Sequence, residues 1–455
     1  MAAGEPDRPG VRGPEPGLLL PAAGGLRLSR EDRRDEQGRL QAVVDRAQGL
    51  GRLPSVVGAR VEEGRVVLRA GAGAHGDLDA QYRIGSITKT LTAVLVLQCQ
   101  QDGLLALEDR VRDHLPEAGY GDARLRDLLA HTAGLQAEPV GDWWERSPGV
   151  DVPTLLERND GSGRVFAAGE AFHYSNLGFA LLGEVAARLR GRTWWELVQE
   201  RLLEPLGMTR TSYHPQVPNA QGYSVGHFTG TLTEEPHADT GAMAPAGQLW
   251  STVDDLARWL DFLATGHPEV LGADALAGMC IPGAPGIDYG LGLRLLDGLV
   301  GHTGSMPGFL ATAFVDRATR RGVVGFANAT TGLVTDQFAC DLRDGVDRND
   351  TPLWEPSVSV PPEVAEVLGI WFWGNSAHAV RWHNGRLELR DLNDPEDLGV
   401  FTDGAGVHGR AGSWRGTEGY LLGETLQVRR DGSGQAVELE CATFRFTRTP
   451  YPDAP

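Results

Sequence analysis

Lysine is almost missing from this chain. Lysine and arginine together number 42 among 455 residues, and Lys89 is the one lysine. A desolvated lysine can lose its proton near neutral pH, whereas an arginine guanidinium cannot. Lys89 follows Ser86 by three residues, a spacing that brings both side chains to one face of a helix. A neutral amine there can accept the proton of the Ser86 hydroxyl, so the pair predicts a serine nucleophile with a lysine base.

Cysteine, long apolar runs and a basic N-terminal head are scarce or missing too. The four cysteines show no paired CxxC or Cys/His spacing, so we expect reduced thiols, no disulfide framework, no metal and no other cofactor. No apolar stretch is long enough to span a bilayer. Residues 1–21 carry acidic side chains where a signal peptide has a basic head. We therefore expect a cytoplasmic protein without a membrane partner.

Basic residues are also fewer than acidic ones. Aspartate and glutamate number 61 against 42 lysines and arginines, which gives a formal net charge of −19 at pH 7. An acidic surface repels nucleic acid and anionic membranes. We therefore expect a small-molecule or peptide acyl substrate and no nucleic-acid partner.

The order of predicted elements indicates two domains. Short strands lie near both ends of residues 31–348, and helical periodicity dominates between them. This order favours an α+β fold in which the two ends pair in one antiparallel sheet, flanked by helices and a helical subdomain. Residues 1–30 are predicted to be a disordered leader and proline-rich residues 349–362 a linker. Alternating strands over residues 363–450 predict a small all-β barrel domain.

A second group of polar residues is the run Tyr174-Ser175-Asn176. A tyrosine hydroxyl beside an amine can relay a proton to a leaving group. The Asn176 amide can hold both the lysine and a substrate carbonyl. An asparagine-capped helix with a packed tyrosine is the purely structural alternative.

A third group is the run His302-Thr303-Gly304-Ser305, just after a predicted strand. Gly304 lets a substrate backbone lie close to a strand edge, and the N–H of Ser305 can complete an oxyanion hole. His302 can donate a proton or, when protonated, place a positive charge at the edge of the site. A glycine-rich hairpin turn is the alternative for this run.

The three groups, in this order, resemble the penicillin-binding-protein and class C β-lactamase superfamily of serine hydrolases. The runs over residues 127–135 and 247–252 fit the same resemblance, which covers residues 40 to 345. It implies a β-lactamase/transpeptidase-like fold and an acyl-enzyme mechanism. In that mechanism Ser86 attacks a carbonyl, and Lys89 and Tyr174 shuttle the proton.

The resemblance also implies roles in binding. Asn176 would position the acyl side chain, and the amides of Ser86 and Ser305 would hold the oxyanion. Thr303 and His302 would contact the substrate carboxylate or the leaving group. Class C β-lactamases usually carry lysine where this chain has His302, so efficient β-lactamase activity is not expected. Histidine there is similar to some DD-carboxypeptidases, D-aminopeptidases and esterases of the superfamily.

Residues outside these runs are predicted to be mainly structural. His131 is expected to cap or pack. The Trp143-Trp144 pair lies in a loop, where a role in packing and one in lining an acyl pocket both stay open. The start of the second domain, residues 368–373, resembles the lipocalin-like domains appended to some members of the superfamily. A lid, a specificity module and an oligomerisation surface are its candidate roles.

Three functions are open from the sequence. The first is a serine hydrolase of esters or amides, including D-amino-acid peptides. The second resembles penicillin-binding-protein-type thioesterases, which cyclise a peptidyl thioester and would imply a carrier-protein-bound or other thioester substrate. The third is a non-catalytic binding protein on the same scaffold.

Overall fold

The computed structural model describes residues 30–74, 78–346, 350–394, 397–403 and 413–451. The predicted leader over residues 1–30 lies outside the described residues except at its last position, where the first helix begins. The described helices are α1 Arg30–Gly51, α2 Thr88–Gln101, α3 Val111–His114, α4 Leu125–Leu129, α5 Val152–Arg158, α6 Asn176–Arg190, α7 Trp194–Val198, α8 Glu204–Leu206, α9 Ala244–Gly247, α10 Val253–Thr265, α11 Ala273–Met279, α12 Thr335–Asp344 and α13 Pro362–Ala365. Among these residues, no helix combines the length and the apolar character needed to cross a membrane.

The strands form one main sheet, two small strand pairs and a barrel. The strands before the barrel are β1 Val56–Glu62, β2 Arg65–Ala72, β3 Tyr82–Arg83, β4 Tyr223–Val225, β5 Leu232–Glu234, β6 Trp250–Ser251, β7 Arg294–Leu296, β8 Leu299–Met306, β9 Phe309–Asp316 and β10 Arg321–Ala327. The main sheet is antiparallel in the order β2-β1-β10-β9-β8-β7. Val56 pairs with Ala327, so the two ends of the first domain join in one sheet and the predicted α+β fold is confirmed.

Helices cover both faces of the main sheet because successive strand residues point to opposite sides. Val56 belongs to the core under α1 and α12, together with Leu40 and Phe338. Its neighbour Val57 belongs to the larger core on the other face, together with Leu260 of α10. The sheet therefore separates two apolar cores, and the larger one extends into the helical subdomain.

Helix α2 runs through the middle of the larger core. Every residue from Thr88 to Cys99 is buried, which explains why the sequence of this helix is apolar on all sides. The hydroxyl of Thr92 donates to the carbonyl of Pro245 at 2.8 Å. The start of α2 is thus fixed against α9, and this contact positions the catalytic candidates at its first turn.

The predicted barrel is confirmed. Its strands are β11 Gly369–Trp373, β12 Ser376–His383, β13 Arg386–Asp391, β14 Leu398–Asp403, β15 Ser413–Glu418, β16 Thr425–Arg430, β17 Ala436–Cys441 and β18 Phe444–Thr447. Each strand pairs with the next, and β18 closes on β11. Trp371, Phe401 and Trp414 are buried in the interior.

The alternation of residues 420–422 and of residues 289–296 predicts a strand at each place, and the structure shows both predictions to be wrong or too long. Residues 420–422 form a turn between β15 and β16, and the ring of Tyr420 is 83% exposed. Residues 289–296 form a strand only from Arg294 onward. Gly292 has a φ of +75°, a left-handed conformation that interrupts extended backbone just before that strand.

The barrel contacts the first domain through the β4–β5 hairpin. The N–H of Trp382 donates to the carbonyl of Phe228 at 2.7 Å, and the N–H of Ser357 donates to the carbonyl of Gly230 at 3.0 Å. Both acceptors lie in the loop between β4 and β5. The hairpin therefore joins the first domain to the linker and the barrel.

Candidate active site

The Ser86 hydroxyl and the Lys89 amine lie together where a short 3-10 turn, Gly85–Ile87, enters α2. The Lys89 Nζ donates to the Ser86 Oγ at 2.9 Å and to the carbonyl of Ala246 at 2.6 Å. Gly85 has a φ of +50°, and a Cβ there would lie 2.6 Å from the backbone N of Ser305. Glycine is therefore required immediately before the nucleophile, because strand β8 passes so close.

Lys89 is fully buried. Burial lowers the pKa of its amine to about 7. The negative charges of Glu138 and Glu145 act in the opposite direction and raise this pKa, but burial is the larger effect. Desolvation disfavours the ammonium form of a lysine. Near neutral pH the amine is therefore neutral in a large fraction of molecules and can accept the Ser86 proton.

The Tyr174 ring lies beside this pair. Its centroid is 5.1 Å from the Lys89 Nζ. Burial raises the pKa of the Tyr174 hydroxyl, and the Ser86 side chain acts in the opposite direction. The phenol is therefore protonated at neutral pH and can pass a proton between Lys89 and a leaving group.

Asn176 is the first residue of α6, which the Ser175 hydroxyl caps by accepting from the N–H of Gly178 at 3.1 Å. The Asn176 Nδ2 donates to the Oε1 of Glu138 at 2.7 Å. Its Oδ1 is buried and has no hydrogen-bond partner among the described residues. The described hydrogen bonds of Lys89 go to Ser86 and Ala246, so the structure assigns the Asn176 amide to Glu138 and not to the lysine.

Strand β8 carries Thr303, Gly304 and Ser305 along the open side of Ser86. A Cβ on Gly304 would lie 2.0 Å from the carbonyl oxygen of Ile84. Glycine is therefore needed so that β8 can approach the segment before the nucleophile, a reason that the sequence did not reveal. Ser305 is exposed and lines the same cleft as Ser86, and its backbone N lies close to Gly85, the residue before the nucleophile.

His302 does not provide the positive edge that the sequence suggested. Its ring is buried, and burial lowers its pKa to about 3. Both ring nitrogens have partners: Nε2 lies 3.1 Å from the Tyr289 hydroxyl and Nδ1 lies 2.5 Å from the carbonyl of Thr303. A neutral, fully bonded imidazole supports β8 and carries no charge for a substrate.

A chain of hydrogen bonds fixes the protonation of these rings. The N–H of Ser175 donates to the His131 Nδ1 at 3.0 Å, so the proton of that ring is on Nε2. The His131 Nε2 then donates to the Tyr289 hydroxyl at 3.2 Å, and this hydroxyl donates to the His302 Nε2. His302 therefore donates through Nδ1 to the Thr303 carbonyl. His131 packs, as expected, and also anchors this chain.

Arg294 is a cation in the cleft wall, next to β8, that the sequence analysis did not predict. Its Nη1 donates to the Thr303 hydroxyl at 2.9 Å. The same guanidinium binds both carboxylate oxygens of Asp336 at 2.7 Å. The Asp336 carboxylate balances the charge of Arg294, so this side of the cleft has a cation without an excess of positive charge.

Two carboxylates on the opposite side of Ser86 were also not predicted. Trp144 Nε1 donates to the Glu138 Oε2 at 2.6 Å, and Trp143 Nε1 donates to the Glu145 Oε2 at 2.8 Å. Trp144 is buried and packs, while the Trp143 ring is 54% exposed. The tryptophan pair therefore orients two acidic groups beside Asn176 and Lys89. Burial raises the pKa of Glu145, and the charge of Glu138 acts in the same direction.

A cleft of about 610 Å³ opens at Ser86 on the side of β8. Its walls include the apolar side chains of Phe172, Ile287 and Leu333 together with Arg294 and Thr303. The cleft is large enough for the leaving group or acceptor of a small substrate. Ser86 thus lies between an acidic side, near Asn176, and this mixed cleft.

A serine and a buried lysine at hydrogen-bonding distance, with a tyrosine beside them on this α+β fold, define the class of serine hydrolases with a Ser-x-x-Lys pair. Residues 40–344 match the Beta-lactamase family model, and the chain belongs to that family. Residues 360–448 match a domain of unknown function, DUF7586.

Curated relatives share only part of their length with this chain. Beta-lactamase-like protein 2 of Dictyostelium discoideum is 32% identical over 216 residues, which cover 44% of this chain and 38% of that protein. Protein flp of Staphylococcus aureus (strain NCTC 8325 / PS 47) is 25% identical over 248 residues, covering 50% of this chain and 49% of that protein. The chain spans about half or less of the length of these relatives.

Solved structures extend the likeness. A D-stereospecific amidohydrolase from Streptomyces sp. is 26% identical with a TM-score of 0.56, and the match covers 68% of this chain and 98% of that one. The penicillin-binding protein homologue from Pyrococcus abyssi is 21% identical with a TM-score of 0.60, covering 90% and 99%. SurE is 23% identical with a TM-score of 0.56, covering 91% and 99%. The last two likenesses show the fold alone.

Proposed function

We propose that this chain is a serine amidohydrolase that cleaves amides of amino acids carrying a free α-amine. The observation that carries the proposal is the buried Lys89 amine at 2.9 Å from the Ser86 hydroxyl, with its pKa lowered to about 7. A base of that pKa is matched to proton transfer at neutral pH.

The proposed reaction proceeds through an acyl-enzyme. The Ser86 Oγ attacks the amide carbon while its proton passes to the Lys89 Nζ, and the backbone N–H groups of Ser86 and Ser305 stabilise the oxyanion. The proton then moves through the Tyr174 hydroxyl to the leaving nitrogen as the C–N bond breaks. Water attacks the ester and its proton passes to Lys89. Lys89 then returns this proton to the Ser86 Oγ as the C–Oγ bond breaks, which releases the acid and restores the serine hydroxyl.

The acidic side of the site supports a substrate with an ammonium group. The carboxylates of Glu138 and Glu145 both act on Lys89, and Glu138 also holds Asn176. An α-ammonium beside the reacting carbonyl would contact Glu138 and the unpartnered Oδ1 of Asn176. An acyl group without that amine would leave the Asn176 Oδ1 without a partner, at a cost in binding.

The cleft side supports an uncharged leaving group. His302 is neutral, and the charge of Arg294 is balanced by Asp336. A free carboxylate on the leaving group, as in a β-lactam or a C-terminal peptide acid, would find no excess positive charge there. Ammonia or a neutral amine meets no such penalty, which favours amides over peptide acids.

The D-configuration is part of the proposal. The amidohydrolase from Streptomyces sp. is described as D-stereospecific, and it shares 26% identity with this chain. The test is turnover of D-phenylalaninamide, L-phenylalaninamide and N-acetyl-D-phenylalaninamide by the full chain, with Ser86→Ala as control. We expect the D-amide with a free amine to be the best substrate. Equal turnover of the N-acetyl compound contradicts recognition of the amine.

Peptide cyclisation from a thioester is the second candidate, because the same acyl-enzyme can pass its acyl group to an amine. The cleft of about 610 Å³ beside Ser86 favours it, since its apolar side chains Phe172, Ile287 and Leu333 can shelter part of an amine from water. A peptidyl thioester mimic separates the two functions: a hydrolase releases the linear acid, and a cyclase releases the cyclic peptide. Absence of any turnover and of any adduct with either substrate favours the non-catalytic binding protein.

A further inference from the structure

A second cavity, of about 560 Å³, lies in the helical subdomain. We call it the subdomain pocket. It is lined mainly by α5, α6, the start of α7 and the segment over residues 241–245, and none of its lining residues lines the cleft at Ser86. It is therefore a separate cavity that the proposed amidohydrolase reaction does not use.

The walls of the subdomain pocket are apolar and aromatic. Leu155 and Leu181 contribute aliphatic surface. The rings of Trp195 and Tyr213 face the cavity in an edge-on pair, with centroids 5.8 Å apart and an interplanar angle of 61°. Aromatic rings pack favourably against such edges and faces, so the walls suit a ligand with an aromatic ring.

Hydrogen bonds fix the walls of the subdomain pocket before any ligand binds. Trp194 Nε1 donates to the Thr92 hydroxyl at 3.1 Å, and that hydroxyl donates to the carbonyl of Pro245. The start of α7 is fixed by reciprocal bonds between Thr193 and Glu196. Trp194, Thr193 and Pro245 all line the pocket, so a ligand does not have to order these walls when it binds.

The charged groups at the pocket are acidic. Asp151 and Glu184 line it, and none of the described lining residues is lysine or arginine. Glu184 is paired with Arg188 at 2.7 Å. Asp151 accepts the N–H of Thr154 at 3.0 Å as the cap of α5 and is exposed to solvent. The exposed Asp151 carboxylate therefore attracts a cationic ligand and repels an anionic one.

We propose that the subdomain pocket binds an arylalkylamine, with its ring against Trp195 and Tyr213 and its ammonium at Asp151. The ring is held by the apolar walls and the amine by the exposed carboxylate. This assignment does not depend on catalysis at Ser86, and it concerns binding alone.

Calorimetric titration of the full chain with tryptamine, indole and indole-3-acetate tests the proposal. We expect tryptamine to bind one site, about threefold or more tighter than indole, because an exposed ion pair contributes modestly. Indole-3-acetate is expected to bind least well. Asp151→Asn keeps the helix cap, since asparagine caps as well as aspartate, and should bring the affinity for tryptamine close to that for indole.

Ala187→Leu places a larger side chain on the pocket wall in α6, and it should abolish binding of tryptamine and indole. Ala277→Leu, at an exposed position of α11, is the matched control and should bind as wild type does. Equal binding of the three probes overturns the proposal, as does unchanged binding to Ala187→Leu. Loss of tryptamine binding in Glu138→Gln but not in Ala187→Leu places the amine in the active site and also overturns it.

Discussion

The Lys89 amine lies 2.9 Å from the Ser86 hydroxyl in a position where the lysine has no exposed surface. Burial and proximity act together here, because burial makes the amine a base near neutral pH and proximity makes the serine the group it deprotonates.

The pH dependence of acylation should follow the Lys89 amine. Its pKa is lowered to about 7 in the folded chain, so the amine is protonated and inactive as a base below that pH and neutral above it. We expect kcat/KM for a neutral ester to rise with pH through about 7 and then to level off. Stopped-flow kinetics over a range of pH values measure this rise in kcat/KM. A flat profile between pH 5 and about 9 contradicts the lysine base.

Lys89→Arg should abolish acylation, because a guanidinium keeps its proton at all accessible pH values. We expect a loss of about a hundredfold or more in kcat/KM, with the fold kept as judged by circular dichroism. Lys89→Met, which removes the charge and keeps the length, controls for a change in packing. Near-normal turnover by either folded variant rules out the general-base role.

Tyr174→Phe should lower kcat by about a hundredfold or more, because the proton route to the leaving nitrogen is lost. The effect should be smaller for an activated ester, whose leaving group needs no proton. Comparison of amide and ester turnover in this variant measures the difference. An unchanged rate with the amide removes Tyr174 from the mechanism.

Glu138→Gln should raise KM for an amino-acid amide by about tenfold or more, because a charge-assisted contact to the substrate amine is lost. The charge of Glu138 also raises the pKa of Lys89, so its removal should move the acid limb of activity to lower pH. N-acetyl substrates should show the pH shift without the change in KM. A variant with neither effect shows that Glu138 only supports Trp144 and Asn176.

Tyr289→Phe should destabilise the chain by about 1–3 kcal/mol, because the buried His131 and His302 each lose a hydrogen-bond partner. Chemical denaturation of wild type and variant measures the difference in the free energy of unfolding. Tyr289 lies at the cleft, so activity is a second readout. Unaltered stability means that water replaces the hydroxyl.

The local parts of the site were predictable from sequence. Ser86 and Lys89 are three residues apart, and the turn entering α2 brings them to one face. Tyr174 and Asn176 are likewise only two residues apart in the chain, where α6 begins. The overall α+β order and the barrel were predictable because strand alternation and helical periodicity are local patterns.

The remaining features depend on tertiary packing. Glu138 and Arg294 belong to no motif, and the fold alone brings them to the two sides of Ser86. The neutral state of His302 follows from its burial, which its residue type does not reveal. The apolar run at residues 420–422 satisfies a strand pattern, yet it forms an exposed turn because its neighbours β15 and β16 already pair.

The intact mass of the protein after mixing with a small activated ester tests the Ser86 nucleophile directly. Wild type is expected to gain the mass of one acyl group and Ser86→Ala to gain none, which establishes the acyl-enzyme on Ser86. The same adduct on both proteins, or none on wild type at a pH where Lys89 is neutral, would contradict the central claim that this pair forms the nucleophile.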